Sequence, residues 1–411
     1  MKSISASNLL IYTAVFLFPF QLLAIKFFTG AYDLTSLLLI SNIILLSISN
    51  FYTNKKTLIA LSAFIILQCI IVYVFNIGPY YRFLSGIIWL SALLLIILNG
   101  EFLHDYSQKI VFRIIIITLS LSSVYMLYEN FFVIEPHTSK RPKAGFSEPS
   151  YAGLALLAAS SAMISTIIMA KKTYRFIFLS SAILLLLLLA SFYAKSMHVV
   201  TFAISLSIFI VLWLSFKPSF SKLIFVLFII FCLLCLGFLL LSFPHYYNRI
   251  NIFVDPQSMT NPSLLSWLRG LDQAIEVMKN SPFFGYGIGS TGYFNFDSAY
   301  GDRLAYYRMY DLTLTDAFSL LWRLLIEVGL IPVILLTIYL MNRIYSFRRF
   351  IKNMNNNNEN FKYLVFNFSF ALALIIGCLI KEPNYARSSL FIGIFLISTI
   401  SLNFKEKENE Q

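Results

Sequence analysis

Charge is what this 411-residue chain has least of. Asp, Glu, Lys and Arg together make up 12% of it, against about 25% in ordinary soluble proteins, which excludes a water-soluble globular fold. Histidine is as scarce. His104, His137, His198 and His245 are scattered without metal-ligand spacing and nothing has the H-E-x-x-H form, so no metal is expected. The four cysteines, Cys69, Cys232, Cys235 and Cys378, all sit in apolar runs. Cys232 and Cys235 form a C-x-x-C pair there, and packing is the better reading than redox chemistry. Glycine is thin too, at 16 residues, yet Gly287 to Gly292 spells G-x-G-x-x-G. That pattern binds a dinucleotide only between a strand and a helix. Lys279 to Phe284 before it does not read as a strand, and no Gly-Lys-Ser/Thr ending follows, so neither a nucleotide cofactor nor a P-loop is expected. Here the glycines allow turns at positive φ, and can turn N–H groups toward an anion.

What the chain has in quantity is long apolar runs. Hydrophobic residues make up 59%, and mean hydropathy is +0.78. Apolar runs of about 18 residues or more read as membrane-spanning helices. Candidate spans lie at 8–28, 35–53, 57–75, 83–99, 110–130, 151–170, 176–193, 197–216, 223–243, 317–342, 361–380 and 388–404. The expected fold is all-α, a polytopic bundle of about twelve transmembrane helices forming one domain over 1–411. Span 8–28 contains Pro19, is too long for a signal-peptide core and has no convincing cleavage site, so it reads as a retained helix. The one long connection is 244–316, and Asn355 to Asn358 is a polar loop by composition.

Lys and Arg orient the bundle, because cytoplasmic loops carry them in excess. They crowd the short segments holding Lys55 and Lys56, Lys171, Lys172 and Arg175, and Arg343, Arg348 and Arg349. The opposite segments, with Lys26, Arg82 and Lys195, are sparser. Both termini are therefore expected in the cytoplasm, and the loops at 131–150 and 244–316 outside.

Four outward regions carry unusual charge. Lys140 to Ser150 holds Arg141 and Lys143, and Pro149 suits a helix start, which places Glu148 at a helix N-terminus, where an anion is favoured. In the long loop, Asn261 and Pro262 open an amphipathic helix with Leu264, Leu268, Leu271, Ile275 and Met278 on one stripe and Ser266, Arg269, Gln273 and Glu276 opposite. It is expected to lie on the membrane or on the bundle. In Thr315 to Glu327, helical spacing brings Asp316, Arg323 and Glu327 to one side, and charges in a membrane helix face a cavity or a protein interior. The structural alternative is a simple Arg323–Glu327 pair. Lys381 to Arg387 repeats the character of the first region. Lys195 and Arg249 add positive charge, so the whole suggests a cationic outer cavity for a phosphate-bearing substrate.

These landmarks resemble the Wzy-type O-antigen polymerases, relatives of the O-antigen ligases. The motifs are RPKAGFSEPSYAG from Arg141, WLRGLDQAIEVMKNSPFFGYGIG from Trp267 and DAFSLLWRLLIEVG from Asp316. Where ligases often carry histidine, this chain has Thr315 and Asp316, which favours a polymerase. The resemblance implies glycosyl transfer at the periplasmic face of a bacterial inner membrane. An undecaprenyl-diphosphate-linked oligosaccharide is the substrate and membrane lipids surround it. A chain-length regulator is a further partner, and neither nucleic acid, metal nor other cofactor is implied. Glu148, Asp316 and Arg323 are the catalytic candidates. Arg141, Lys143, Arg249, Arg269, Lys381 and Arg387 are the diphosphate-binding ones. A lipid-linked oligosaccharide flippase and an O-antigen ligase remain the alternatives.

Overall fold

The computed structural model describes residues 6–19, 24–27, 30–33, 35–42, 55–100, 106–134, 141–143, 146, 148–169, 174–193, 261–353, 359–382, 384–385 and 387–400. The spans expected at 197–216 and 223–243, and part of 35–53, lie outside the described residues, as does Arg249. Numbering only the described helices, these are α1 (Ala6–Leu17), α2 (Lys55–Phe75), α3 (Tyr80–Asn99), α4 (Gln108–Tyr128), α5 (Pro149–Met169), α6 (Tyr174–Tyr193), α7 (Pro262–Asn280), α8 (Ala299–Tyr306), α9 (Leu320–Val328), α10 (Leu330–Asn353), α11 (Glu359–Lys381) and α12 (Ser388–Thr399). Among the described residues, six helices are long and apolar enough to cross a membrane, from α2 to α5 and then α10 and α11. The protein is a polytopic membrane helical bundle.

Helices α5 and α11 form its axis. They pack along each other, and 83% of the apolar window of each is buried. The sequence of α5 explains the close approach: Ala152, Ala155, Ala158, Ala159 and Ala162 line it with almost no exposure, and small residues let membrane helices touch backbone to backbone. Three of its buried hydroxyls, those of Ser160, Ser165 and Thr166, each donate to the carbonyl one turn back. Helix α11 fills the remaining space with rings, Phe366 stacking on Phe370 and Phe368 on Phe347. The periphery is the reverse. In α10 only 11% of the window is buried, and Ile334, Leu335, Ile338 and Met341 point away from the protein, as lipid-facing side chains do. Tyr125, Tyr128 and Phe132 stack in the open at the end of α4, where an interfacial aromatic belt belongs.

Two expected spans are corrected. The first, 8–28, stops at Leu17 just before Pro19, whose ring cannot continue a helix. Ala24–Phe27 then pairs antiparallel with Gly30–Asp33, the only strand pairing among the described residues. The second, 317–342, is two helices. Gly329 breaks it at φ 80° and ψ −172°, and a side chain there would collide with the carbonyl of Phe283. So α9 is not the first part of a membrane span, and Arg323 and Glu327 ride on a short helix of their own.

At one end of the bundle α3, α5, α10 and α12 begin, and α7, α8 and α9 lie there too. The last carbonyls of α11 would be orphaned at this end. Ser319 Oγ donates to Leu379 at 2.7 Å and Trp267 Nε1 to Ile380 at 2.8 Å, so α9 and α7 are tied directly to the axis. The opposite end closes differently. There Arg343 donates to the carbonyls of Ile397 and Ile400 at 2.8 and 2.6 Å, and the Tyr106 hydroxyl shares a 2.7 Å hydrogen bond with that of Thr399.

Candidate functional site

The glycine-rich turn sets the geometry. Gly285, Gly287, Gly289 and Gly292 all have positive φ, and each lies where a Cβ would press on a neighbour: on Ile326 and Gly329 at Gly285, on Arg82 and Phe83 at Gly289, on Leu314 at Gly292. Tyr286 and Gly287 donate their N–H groups to the carbonyls of Ile326 and Glu327 at 2.8 and 3.0 Å. The turn is thus threaded between the end of α9 and the start of α3, and its glycines serve backbone contact. It carries Thr291 against Glu327.

Glu327 is fully buried and its carboxylate is saturated. Oε1 accepts from Arg323 Nε at 3.0 Å and from Thr291 Oγ1 at 2.8 Å, and Oε2 from the Tyr385 hydroxyl at 2.8 Å. A buried charge is tolerated when paired and hydrogen-bonded in this way. Burial works against the charge of Arg323, but Glu327, with help from Tyr385 and Asp316, outweighs it and raises the pKa of the guanidinium. The same guanidinium lies over the Tyr385 ring, 4.3 Å from its centroid, a cation–π arrangement.

Arg323 also reaches outward. Its Nη1 stands 3.5 Å from Asp316 Oδ1. On the other side of that oxygen, at 4.0 Å, is Nη1 of Arg82, which also donates to the carbonyl of Thr315 at 2.9 Å. Asp316 keeps 43% of its side-chain surface exposed. The result is a carboxylate clasped between two arginines and open on one side. Asp316 and Arg323 are brought together as expected, though not on one helix. Asp316 closes a 3-10 turn, Leu314–Asp316, flanked by Thr313, Ala317 and Phe318 at positive φ. Three non-glycine residues in that region within six positions mark a strained segment held in place by its surroundings.

Arg269 has a different setting. It is 1% exposed and donates to the carbonyls of Tyr310 and Leu312, while Gln273 donates to Leu314 at 3.2 Å. Ser266, Arg269 and Gln273 of the polar side of α7 therefore face inward and grip the loop leading to Asp316, while on the apolar stripe Leu264 and Leu268 are buried and Ile275 is exposed. The loop's carbonyls needed donors, and α7 supplies them. Burial also pushes the Arg269 pKa down. Gly270 beside it is where a side chain would strike Ala317, so α7 approaches the strained turn closely.

The other candidates spread round the same end. Glu148 is exposed at the start of α5, accepting from the Ser150 hydroxyl at 3.2 Å. Lys143 is exposed, and its backbone N–H donates to Glu129 at 2.8 Å. Arg141 is half-buried. Lys381 ends α11. Arg387 lies over the Tyr151 ring, 4.2 Å from its centroid, beside Glu382, which is 2% exposed. Burial pushes the Glu382 pKa up to about 7, with Arg387 and Lys381 opposing that rise.

Residue spacing alone did not point to Arg82, Thr291 or Tyr385. Arg82 had one usable signal, a cation inside the first turn of an apolar helix; Thr291 and Tyr385 had none. Below the cluster runs an apolar groove of about 380 Å³, lined by Leu90, Leu94, Leu320, Leu324, Leu336 and Tyr385 among others. Tyr385 belongs to both groove and charge cluster. Among the described residues, no three His, Cys, Asp or Glu side chains are grouped to hold a metal ion.

Residues 193–337 match the family described as O-antigen ligase. That match is consistent with a member of the O-antigen polymerase and ligase group. The match takes in Arg269, the glycine turn, Asp316, Arg323 and Glu327. Arg82, Tyr385 and Arg387 come from outside it. No curated protein matches the chain.

Proposed function

From the premise of an O-antigen ligase family domain, we propose that this protein is an O-antigen polymerase, moving an oligosaccharide from undecaprenyl diphosphate to the non-reducing end of a second lipid-linked repeat unit. The observation that carries the reading is the Arg82–Asp316–Arg323 cluster standing at the head of the apolar groove, with Tyr385 shared by both. A polyprenyl tail suits the groove and a diphosphate suits the two guanidiniums. The reaction takes place at the periplasmic face of the inner membrane, with both termini cytoplasmic. The excess of Lys and Arg in the opposite loops supports that orientation.

In this reading a hydroxyl oxygen of the acceptor sugar attacks the anomeric carbon of the donor. The bond from that carbon to the diphosphate oxygen breaks, and the leaving diphosphate takes the electron pair. Arg82 and Arg323 stabilise the charge that develops on it, as fixed cations in a low-dielectric site do. The proton of the attacking hydroxyl goes to Asp316. What supports Asp316 over Glu148 as the base is its exposed side next to Arg82 and Arg323, the groups that would hold the donor's diphosphate. Lys143, Arg141, Lys381 and Arg387 draw the anionic headgroup toward this end, and Arg269 holds the loop that carries Asp316. No metal is assigned a role, since the arginines supply the neutralising charge.

The ligase reading stands second, because the matched family is described as O-antigen ligase. A chromosomal deletion separates the two on a lipopolysaccharide gel. Core carrying a single repeat unit, with its ladder gone, is the expected result. Bare core would point to ligation or flipping, and an unchanged ladder would sink all three. Complementation with Arg82→Ala or Arg323→Ala at normal protein level is expected to leave the single-repeat pattern, and a full ladder from both would refute the mechanism.

A further inference from the structure

A second cavity, formed by α7, α8 and the loop that leads to Asp316, has the opposite character. It measures about 520 Å³ and is lined by Asp272, Phe296, Asp297, Tyr300, Asp302 and Tyr310, with Gly301 in its wall. Among the described residues, no Lys, Arg or His lines it, so it repels a diphosphate. Carboxylates accept strong hydrogen bonds from hydroxyls, and aromatic rings offer flat apolar faces with a polar edge. Together they suit an uncharged polyol with one apolar face, which describes a pyranose. One acid is already oriented: Ser298 Oγ donates to Asp272 Oδ2 at 2.5 Å and accepts from the Gly301 N–H at 3.1 Å.

The wall at Gly301 carries a separate sign. A Cβ there would stand 3.4 Å from Arg269 Cδ and 3.4 Å from Ser298 Cβ, so the absent side chain leaves room between the pocket and the buried arginine. Arg269 Nε, in a residue 1% exposed, has no hydrogen-bond partner among the described residues. A buried donor left in that condition is costly, and a ligand hydroxyl reaching past Gly301 would satisfy it. The pocket is also coupled to the reacting end. Tyr310 lines it, Arg269 grips the Tyr310 carbonyl, and the same loop runs on to Asp316.

We propose that this pocket is the acceptor subsite, holding sugar residues of the lipid-linked oligosaccharide whose hydroxyl attacks the donor. The assignment rests on the polymerase reading and adds to it a division of labour: cations at Arg82 and Arg323 take the donor's diphosphate, and the acidic aromatic pocket takes the acceptor's sugar. A membrane enzyme that joins two copies of one lipid-linked substrate needs such a division, because both copies carry the same headgroup.

The test uses the full chain in detergent and lipid-free repeat-unit oligosaccharide, released from the host's lipid intermediates by mild acid, in saturation-transfer NMR. Wild-type protein is expected to saturate the sugar protons. Tyr310→Ala and Gly301→Leu are expected to raise Kd about tenfold or more, and Asp302→Asn by a smaller factor, with melting temperatures kept. Tyr310 and Asp302 are exposed, so those two variants remain informative if Gly301→Leu fails to fold. Equal Kd in wild type, Tyr310→Ala and Asp302→Asn overturns the subsite and leaves the polymerase reading intact. So does the absence of any sugar binding, or binding of calcium alone. A ladder that survives deletion of the chain sinks the polymerase reading, and the acceptor role with it.

Discussion

The two ends of the bundle use arginine in two ways. At the end where α12 finishes, Arg343 donates to the carbonyls of Ile397 and Ile400. A cation near a helix C-terminus satisfies orphan carbonyls and complements the helix dipole. At the other end Arg323 is held by carboxylates and a ring, and Arg82 by a carbonyl and a carboxylate, around an Asp316 that is still reachable. Neutral acceptors make a buried arginine structural. Carboxylates fix its direction, and at Asp316 they leave one side exposed to a ligand. Arg269, although it lies at the second end, belongs with the first kind, since its partners are carbonyls.

The largest effect expected from this contrast is at Glu327. Replacing it with alanine strips Arg323, Thr291 and Tyr385 of their common acceptor, and breaking a buried ionic network costs about 3–5 kcal/mol. Glu327→Ala is expected to fail to accumulate as folded protein, judged by fluorescence-detected gel filtration from membranes. A variant that melts like wild type would break the contrast. Next comes Arg82→Ala, which is expected to leave the melt nearly unchanged, because Arg82 is partly exposed, and to lower the polymerisation rate about 10²–10³-fold, the usual loss for one charge-stabilising donor.

Arg343→Ala should do the reverse. It is expected to lose about 1–3 kcal/mol of stability through unsatisfied carbonyls and to keep full activity per folded molecule in a reconstituted assay. A loss of activity without destabilisation would show the two ends to be less distinct than their partners imply. The smallest effect concerns Glu382. Burial raises its folded-state pKa from the ordinary 4.5 to about 7, so the native protein holds a proton that the unfolded chain has lost. Stability from this group therefore falls as pH rises through that window and is flat above it. Melting curves at pH 5 and pH 8 should differ less in Glu382→Gln than in wild type.

Much of the fold could be read before the structure was known, where the signals were local. Asn261 caps α7 with Pro262 at its first position, accepting from Ser263 N at 3.0 Å, and Pro149 begins α5. The site was legible only in part. Asp316 and Arg323 were grouped by assuming one continuous helix, and they do meet, but across a strained turn that no periodicity encodes. Arg269 stood out in the sequence by its charge; that it also donates to the carbonyls of Tyr310 and Leu312, 41 and 43 residues further along the chain, is visible only in the fold. Arg82 was passed over as an ordinary loop cation, since its partners Thr315 and Asp316 are remote in sequence.

The amino-acid sequence by itself determined that this is a membrane helical bundle, because lipid leaves a chain with so little charge and such long apolar runs few ways to satisfy its backbone. Only the tertiary structure decided where a run of apolar residues breaks, at Gly329, and which arginines meet a carboxylate. Both depend on backbone and side chains brought close from distant segments. Gly329 must yield to Phe283, and Glu327 gathers Thr291, Arg323 and Tyr385 into one buried network.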